Sequence, residues 1–418
     1  MPAHSDPIAD PADDTGLPVL HRLWVLMPLL APFGISIGFI GVTLGFQLQA
    51  AGMAIGLVTA IVAAAIGTQS LKFLWAPLVD TLLTPRLWYA IGLVLVITTM
   101  IITCILPRTN AMVPFYMLLA VASAVGSSLT SMAAEVIMTR CVHPSRRGTA
   151  SGWSQAGNVG GTSIGGGLGL AVAQHVASPV MPALVLGVIC LGCMACLWLV
   201  PRIVRGNERL AYAARLTEVG RDVITVVRTR TGMLALVLML LPIASGEAPF
   251  QLIGAQWQVG GDMIALFSGT LGGLTSVVGA LIGGYLTDRL GPRTTYIGAG
   301  LASGLVATAM ALAPHTPIAF LVGVLSYSVL IGGGYAAYSA VVLEAIGRRS
   351  AATNFNLMSA MSNVPLAAMT AFDGWMVDAH GTSAMLFGEL WLQALAAAGF
   401  GLFVLATRPR AVPRTAPA

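Results

Sequence analysis

The chain has 418 residues, of which 56% are hydrophobic and 9% charged, with a formal charge of +5, and its mean hydropathy is +0.85. Soluble domains carry about 25% charged residues, so this chain has too little polar surface to cover a water-soluble body. The composition excludes a cytosolic enzyme, a nucleic-acid binder and a secreted disulfide scaffold, and it points to a polytopic membrane protein.

Residues 1–20 hold Asp6, Asp10, Asp13 and Asp14 among prolines, unlike the basic start of a secretory signal, and are expected to form a disordered cytoplasmic tail. A helix needs roughly 20 apolar residues to cross the hydrocarbon core. Twelve such runs follow, near 23–48, 54–79, 87–106, 112–139, 149–174, 180–200, 232–257, 263–287, 293–313, 317–345, 352–377 and 383–407. They predict an all-α membrane protein of twelve transmembrane helices. The connection 201–231 divides them six and six, giving halves at 21–200 and 232–407 and a second tail at 408–418. Its leucines and valines recur at near-helical spacing between arginines, which predicts an amphipathic helix on the membrane surface.

Of the 21 basic residues, 19 fall on one side of these spans, Arg108 falls on the other, and Lys72, the only lysine, lies inside span 2. The positive-inside rule then places both termini in the cytoplasm of a multi-pass protein. Five cysteines lie in spans or on the cytoplasmic side, so no disulfide framework is expected. Cys190, Cys193 and Cys196 have metal-like spacing, but their Leu, Met and Ala neighbours read as helix packing, and neither a metal nor a cofactor is expected.

Self-similarity indicates duplication. The string from Lys72 to Asp80, followed by Arg86, closes span 2, and Gly284-x-x-x-Asp288-Arg289-x-Gly291-x-Arg293 closes span 8. Arg146-Arg147 before span 5 matches Arg348-Arg349 before span 11, and Asn158-Val159 has an echo in Asn363-Val364. Two six-helix halves with these loop motifs resemble the major facilitator superfamily. That resemblance implies a monomer working by alternating access, in which Asp80, Arg86, Gly284, Asp288, Arg289 and Arg293 form a gating motif. Span 11 is the expected partner of Asp288, and span 5 that of Asp80. The 72–80 string, the stretch 135–169 and the run 350–363 with Gly374-Trp375 are further similar to AmpG-type permeases, whose group includes muropeptide, siderophore and acetyl-CoA transporters. AmpG permeases are usually longer, with additional spans.

Acids at membrane depth are costly unless paired, hydrated or protonated, and so mark candidate sites. Ser123, Ser127, Ser131 and Glu135 recur every four residues, a polar stripe that would face water or substrate. The alternative is a serine-rich packing face with Glu135 paired to Arg140. Glu247 lies between Pro242 and Pro249, one turn before Gln251, where freed backbone carbonyls fit a cavity wall. Reversible protonation is its expected behaviour. Lys72 either snorkels to the surface or holds an anionic group. Glu344 reads as one half of an interfacial ion pair, while Asp373 and Glu389 lie nearer the outer ends. Gln155, Asn158 and Thr162 on span 5, and Asn356, Ser359 and Asn363 on span 11, offer amides and hydroxyls to a polar solute or to each other. Trp153, Trp257, Tyr335 and Tyr338 either stack on a ligand or anchor span ends. Gly157, Gly161, Gly165 and Gly169, with the glycine pairs of span 8, are expected to face the interface between halves.

These residues predict a secondary transporter of the cell inner membrane, not an enzyme, with a small-molecule substrate, protons and lipid as partners. Substrate and proton candidates are Lys72, Glu135, Asn158, Glu247, Gln251 and Asn363. A siderophore or other metabolite permease, or a transporter-like sensor without flux, are the alternatives.

Overall fold

The computed structural model describes residues 19–201, 217, 221, 224–225, 227–244, 250–260, 263, 266, 271–346 and 351–407. Nearly all of the two tails, most of the 201–231 linker with its expected amphipathic helix, Glu247, and the pair Arg348 and Arg349 lie outside the described residues, as do the side chains of Gln251 and Asn363.

The described residues are almost entirely helical and form twelve spans. Seven are long and apolar enough to cross a membrane unaided: span 1 (Leu23–Ala50), span 3 (Pro85–Ile105), span 4 (Asn110–Cys141), span 6 (Met181–Leu199), span 9 (Pro292–Leu312), span 10 (Pro317–Ala345) and span 12 (Thr382–Ala406). The other five carry the breaks and polar faces. Span 2 runs over Ile55–Ser70, passes through a 3-10 turn at Lys72–Leu74 and resumes at Ala76–Thr81. Span 5 begins as Arg147–Ser163, a glycine- and serine-rich helix, and widens into a π-helical turn at Ile164–Leu168 before Gly169–His175. Arg230–Leu240 and Phe250–Ile253 belong to span 7, Gly272–Leu290 to span 8 and Ala351–His380 to span 11.

Span 5 packs on span 1 in its own half and on spans 8 and 10 across the divide. Glycine decides both contacts, on different faces. A Cβ at Gly157, Gly161 or Gly165 would strike the backbone carbonyls of Met27, Ala31 and Ile35 on span 1. Gly279 and Gly283 of span 8 lie equally close to Val329 and Gly333 of span 10. The repeats at 157–165 and 279–283 are therefore seams inside each half, which corrects their expected place between the halves, whereas Gly273 of span 8 meets Ser163 of span 5 across the divide as expected. The cross-half seam uses Gly148 and Gly152 against Gly284, where an added Cβ would lie 2.6 Å from the Gly148 carbonyl and 2.7 Å from the Gly152 Cα. The reason is helical register: residues 148, 152 and 157 do not lie on one stripe.

At the end of the bundle carrying both termini, two carboxylates join the halves. Asp288 accepts hydrogen bonds from the backbone N–H of Gly148 (2.7 Å) and Thr149 (2.8 Å) and from the Thr149 hydroxyl. Asp80 accepts from the N–H of Ala352 (3.0 Å), and from the N–H and hydroxyl of Thr353 (2.9 Å each). Each carboxylate thus caps the first turn of a helix in the other half, satisfying N–H groups that have no partner within their own helix. The pairing is the reverse of the one expected: Asp288 serves span 5 and Asp80 serves span 11. Helix packing imposes this, because span 8 lies along span 5 and the end of span 2 along span 11. Arg147 adds a third tie by donating to the Leu343 carbonyl (2.7 Å). Other members of the motif act within one half: Arg86 donates to the Val200 carbonyl, Arg289 lies over the Tyr285 ring, and Arg293 pairs with Glu344 at 3.0 Å. The last is half-exposed and contributes little.

Two outcomes follow for the packing. Gly161→Ala overpacks the seam with span 1 and should cost about 1–3 kcal/mol, seen as a lower unfolding temperature in detergent, whereas Gly298→Ala, with open space around it, should not. Asp288→Ala removes a cross-half cap worth about 0.5–2 kcal/mol. Spin labels at Leu82 and Leu290, in a background without native cysteines, should then show a larger population at long distance.

Candidate functional site

Beyond these caps, between the halves, lies a cavity of about 210 Å³. The first half supplies Phe33, Gln69, Lys72, Ser131, Glu135, Ser154, Gln155 and Asn158, and the second supplies Tyr335, Tyr338, Phe355, Ser359 and Ser362. The break in span 2 explains why Lys72 is here. An unbroken helix would carry it toward the surface two turns before Asp80, but the helix ends at Leu71 (φ −94°, ψ 1°), and the 3-10 turn redirects the next residues. The ammonium lies over the Phe33 ring, 5.6 Å from its centroid. Of the two expected places for Lys72, the structure shows it in the cavity lining.

Glu135 is 5% exposed. It accepts a hydrogen bond from the Asn356 amide at 2.8 Å, which crosses from span 4 to span 11. Lys72 is the cation acting on it, while Arg140 acts on Asp80 instead. The expected alternative of a Glu135–Arg140 pair is therefore not what forms. Among the described residues the ion pair within salt-bridge distance is Arg293–Glu344, so Lys72 and Glu135 line the cavity without closing on one another.

The serine stripe of span 4 divides its work along its length. Ser123 bonds Ser36 of span 1 (2.9 Å), and Ser127 accepts from the Gln69 amide (2.9 Å). The neighbouring Ser128 accepts from the Trp75 indole (3.0 Å). Only the lower part, Ser131 and Glu135, reaches the cavity. Packing and lining were the two readings of this stripe, and each holds for one half of it.

On span 5, Gln155 donates to Ser339 of span 10 at 2.6 Å and receives from Asn158 at 3.2 Å, so the two amides form a short chain across the divide. Thr162 returns its hydroxyl to the Asn158 carbonyl. Of the aromatic candidates, Tyr335 and Tyr338 line the cavity, while Trp257 is buried against Phe320 and His315 inside the second half. Sequence reasoning missed Gln69, Ser154, Phe33, Phe355 and Ser362. Gln69 was discoverable, since it is an amide inside an apolar run, three residues before Lys72.

Chemically, the cavity offers a cation and an anion held apart, amides, hydroxyls, and two tyrosines for stacking or hydrogen bonding. Such a set can hold a polar solute that carries an acidic group.

The comparisons agree with this arrangement. The family model described as Major Facilitator Superfamily matches residues 24–370. The fold resembles the Escherichia coli fucose:proton symporter FucP (TM-score 0.69, 15% identity, 93% of this chain and 98% of that one). It also resembles the proton:xylose symporter XylE (TM-score 0.67, 13% identity, 93% and 96%) and a bacterial homologue of the iron transporter ferroportin (TM-score 0.62, 15% identity, 93% and 100%). Among curated sequences, the anhydromuropeptide permease of Escherichia coli strain K12 is 31% identical over 145 residues. That stretch is 34% of this chain and spans little more than a quarter, 28%, of the permease. With a cavity between two latched six-helix halves and a family match over most of its length, the chain belongs to the major facilitator superfamily and is a membrane transporter.

Proposed function

We propose that this transporter carries out proton-coupled uptake of a small polar solute of the anhydro-muropeptide type across the cytoplasmic membrane, with both termini inside. The observation that carries the proposal is the unpaired Lys72 and Glu135 in one cavity, with Asn356 of the opposite half on the carboxylate. The partial likeness to the anhydromuropeptide permease supports the solute class. The arginine distribution supports the orientation, which makes the capped end cytoplasmic and the described conformation closed to the inside.

In the proposed cycle, Glu135 takes a proton from the outside. The bond from Asn356 weakens, the negative charge that competes for Lys72 is removed, and the lysine is left to an acidic group of the solute. Proton and solute then favour each other's binding, which is the thermodynamic requirement for symport. Gln155, Asn158, Tyr335 and Tyr338 orient the rest of the molecule, and Asn363, Gln251 and Glu247 are proposed to contribute from spans 11 and 7. Once the caps at Asp80 and Asp288 release, Glu135 loses its proton to the cytoplasm and recovers Lys72, expelling the solute. The cavity, at about 210 Å³ in this conformation, is below the usual 300–1,000 Å³ of ligand sites. That favours, as the second reading, a smaller metabolite on the same machinery.

Permease-deficient cells expressing the chain should accumulate labelled anhydro-muropeptide, and a protonophore should abolish accumulation; no uptake by membrane-inserted protein overturns the solute class. Counterflow in vesicles separates a transporter from a sensor. Lys72→Met should lower solute affinity at least about tenfold, equivalent to ~1.4 kcal/mol. Wild-type uptake should fall as external pH rises, because loading needs the proton, and Glu135→Gln should flatten that dependence and lose uphill accumulation.

A further inference from the structure

Away from the cavity, inside the second half, two acids are buried together. Asp373 of span 11 is 1% exposed and Glu389 of span 12 is 0% exposed. Spans 11 and 12 pack closely here, with Phe372 and Met376 of span 11 against Gly388 of span 12, and the two acids are close enough to act on each other. Glu389 is well supplied with donors: the Tyr327 hydroxyl of span 10 lies 3.2 and 3.1 Å from its two oxygens, and the Gln393 amide lies 3.2 Å from Oε2. Neither oxygen of Asp373 has a donor among the described residues.

The other elements around the pair bring no charge to it. Span 9 presents Gly300 and Gly304 to span 12, and span 7 presents the backbone N–H of Ala244, which donates to the Gln393 side-chain oxygen Oε1 at 3.1 Å. The titratable groups that face the pair among the described residues are the two carboxyls themselves and Tyr327, and no Lys, Arg or His acts on either acid. Two adjacent carboxylates, cut off from water and without a cation, repel strongly at low dielectric. A shared proton removes the repulsion and supplies Asp373 with the donor it lacks.

We propose that Asp373 and Glu389 form a proton-binding site inside the second half, separate from the central cavity, in which two buried carboxyls share one proton. The site is built into the frame of that half. Tyr327, which holds Glu389, packs edge-on against Phe250 just after the break of span 7, with ring centroids 5.1 Å apart. Gln393, which holds the other side, is anchored by Ala244, whose backbone is in the left-handed region (φ 50°). The site is therefore tied to span 7 at two places, Ala244 and Phe250. Its part in transport rests on the proton-coupled reading; the binding of the proton does not.

The test uses full-length protein in lipid nanodiscs, without solute. Infrared difference spectra between neutral and alkaline buffer should show the C=O stretch of a buried protonated carboxyl. The band should be lost in the Asp373→Asn, Glu389→Gln double variant and kept in Glu135→Gln. Tyr327→Phe leaves both acids in place and removes only the hydroxyl, so it should shift the band's frequency even if the double variant folds poorly. A band unchanged in the double variant, or unmoved by Tyr327→Phe, overturns the proposal, as does its displacement by sodium ions at constant pH, which would make this a metal-cation site. If labelled anhydro-muropeptide is not taken up but the band behaves as stated, the solute reading falls and this site stands.

Discussion

The two halves are held at one end by a carboxylate of each capping a helix of the other. Asp288 and Asp80 are both in the last turn of their own helices, where the macrodipole disfavours an anion. Each is relieved by the first-turn N–H groups of a helix across the divide, which are themselves without partners in their own helix. When the halves part, both penalties return together unless water pays them. The capped arrangement is thus held by two cross-half caps worth about 0.5–2 kcal/mol each. The glycine seam beside the cap belongs to the same design, since a side chain at Gly148 or Gly284 would hold the carboxylate away from the helix end it serves.

The cavity beyond the caps is uneven in a useful way. Its ionisable pair, Lys72 and Glu135, comes from the first half, while the second half contributes tyrosines, serines and, behind them, the amide of Asn356. The ionisable side chains of the cavity thus belong to one half, and the other half offers hydrogen-bonding and aromatic groups. The buried acids of the second half follow a different logic. They lie together inside the second half, between spans 11 and 12.

Much of this was legible in the sequence, for physical reasons. Apolar length marks spans because the bilayer core has a fixed thickness, and a carboxylate in an apolar run marks a site because burial is expensive. Glu135 was marked as a candidate this way and Lys72 as a lone cation in an apolar run, and the structure brings both to one cavity; the duplicated Asp motifs pointed to the two halves. What was not legible depends on which helix lies against which. The caps cross in the opposite sense to the expected one because the partner of each Asp is set by packing, on which a motif is silent. The span 4 serines look alike at four-residue spacing, yet Ser123 and Ser127 meet spans 1 and 2 and only Ser131 reaches the cavity. The turn at Lys72–Leu74 has neither glycine nor proline within it to betray it, and it decides where the lysine goes.

That lysine has one more consequence. It is the sole lysine of the chain, so an amine-directed acylating reagent has a single side chain to find, and that side chain lines the cavity. A membrane-impermeant form, applied to one face of a sealed vesicle, would leave its mass on the Lys72 peptide when the cavity is open to that face, and any acylated N-terminal amine falls on a different peptide. The native protein thereby contains its own reporter of sidedness, with no engineered residue.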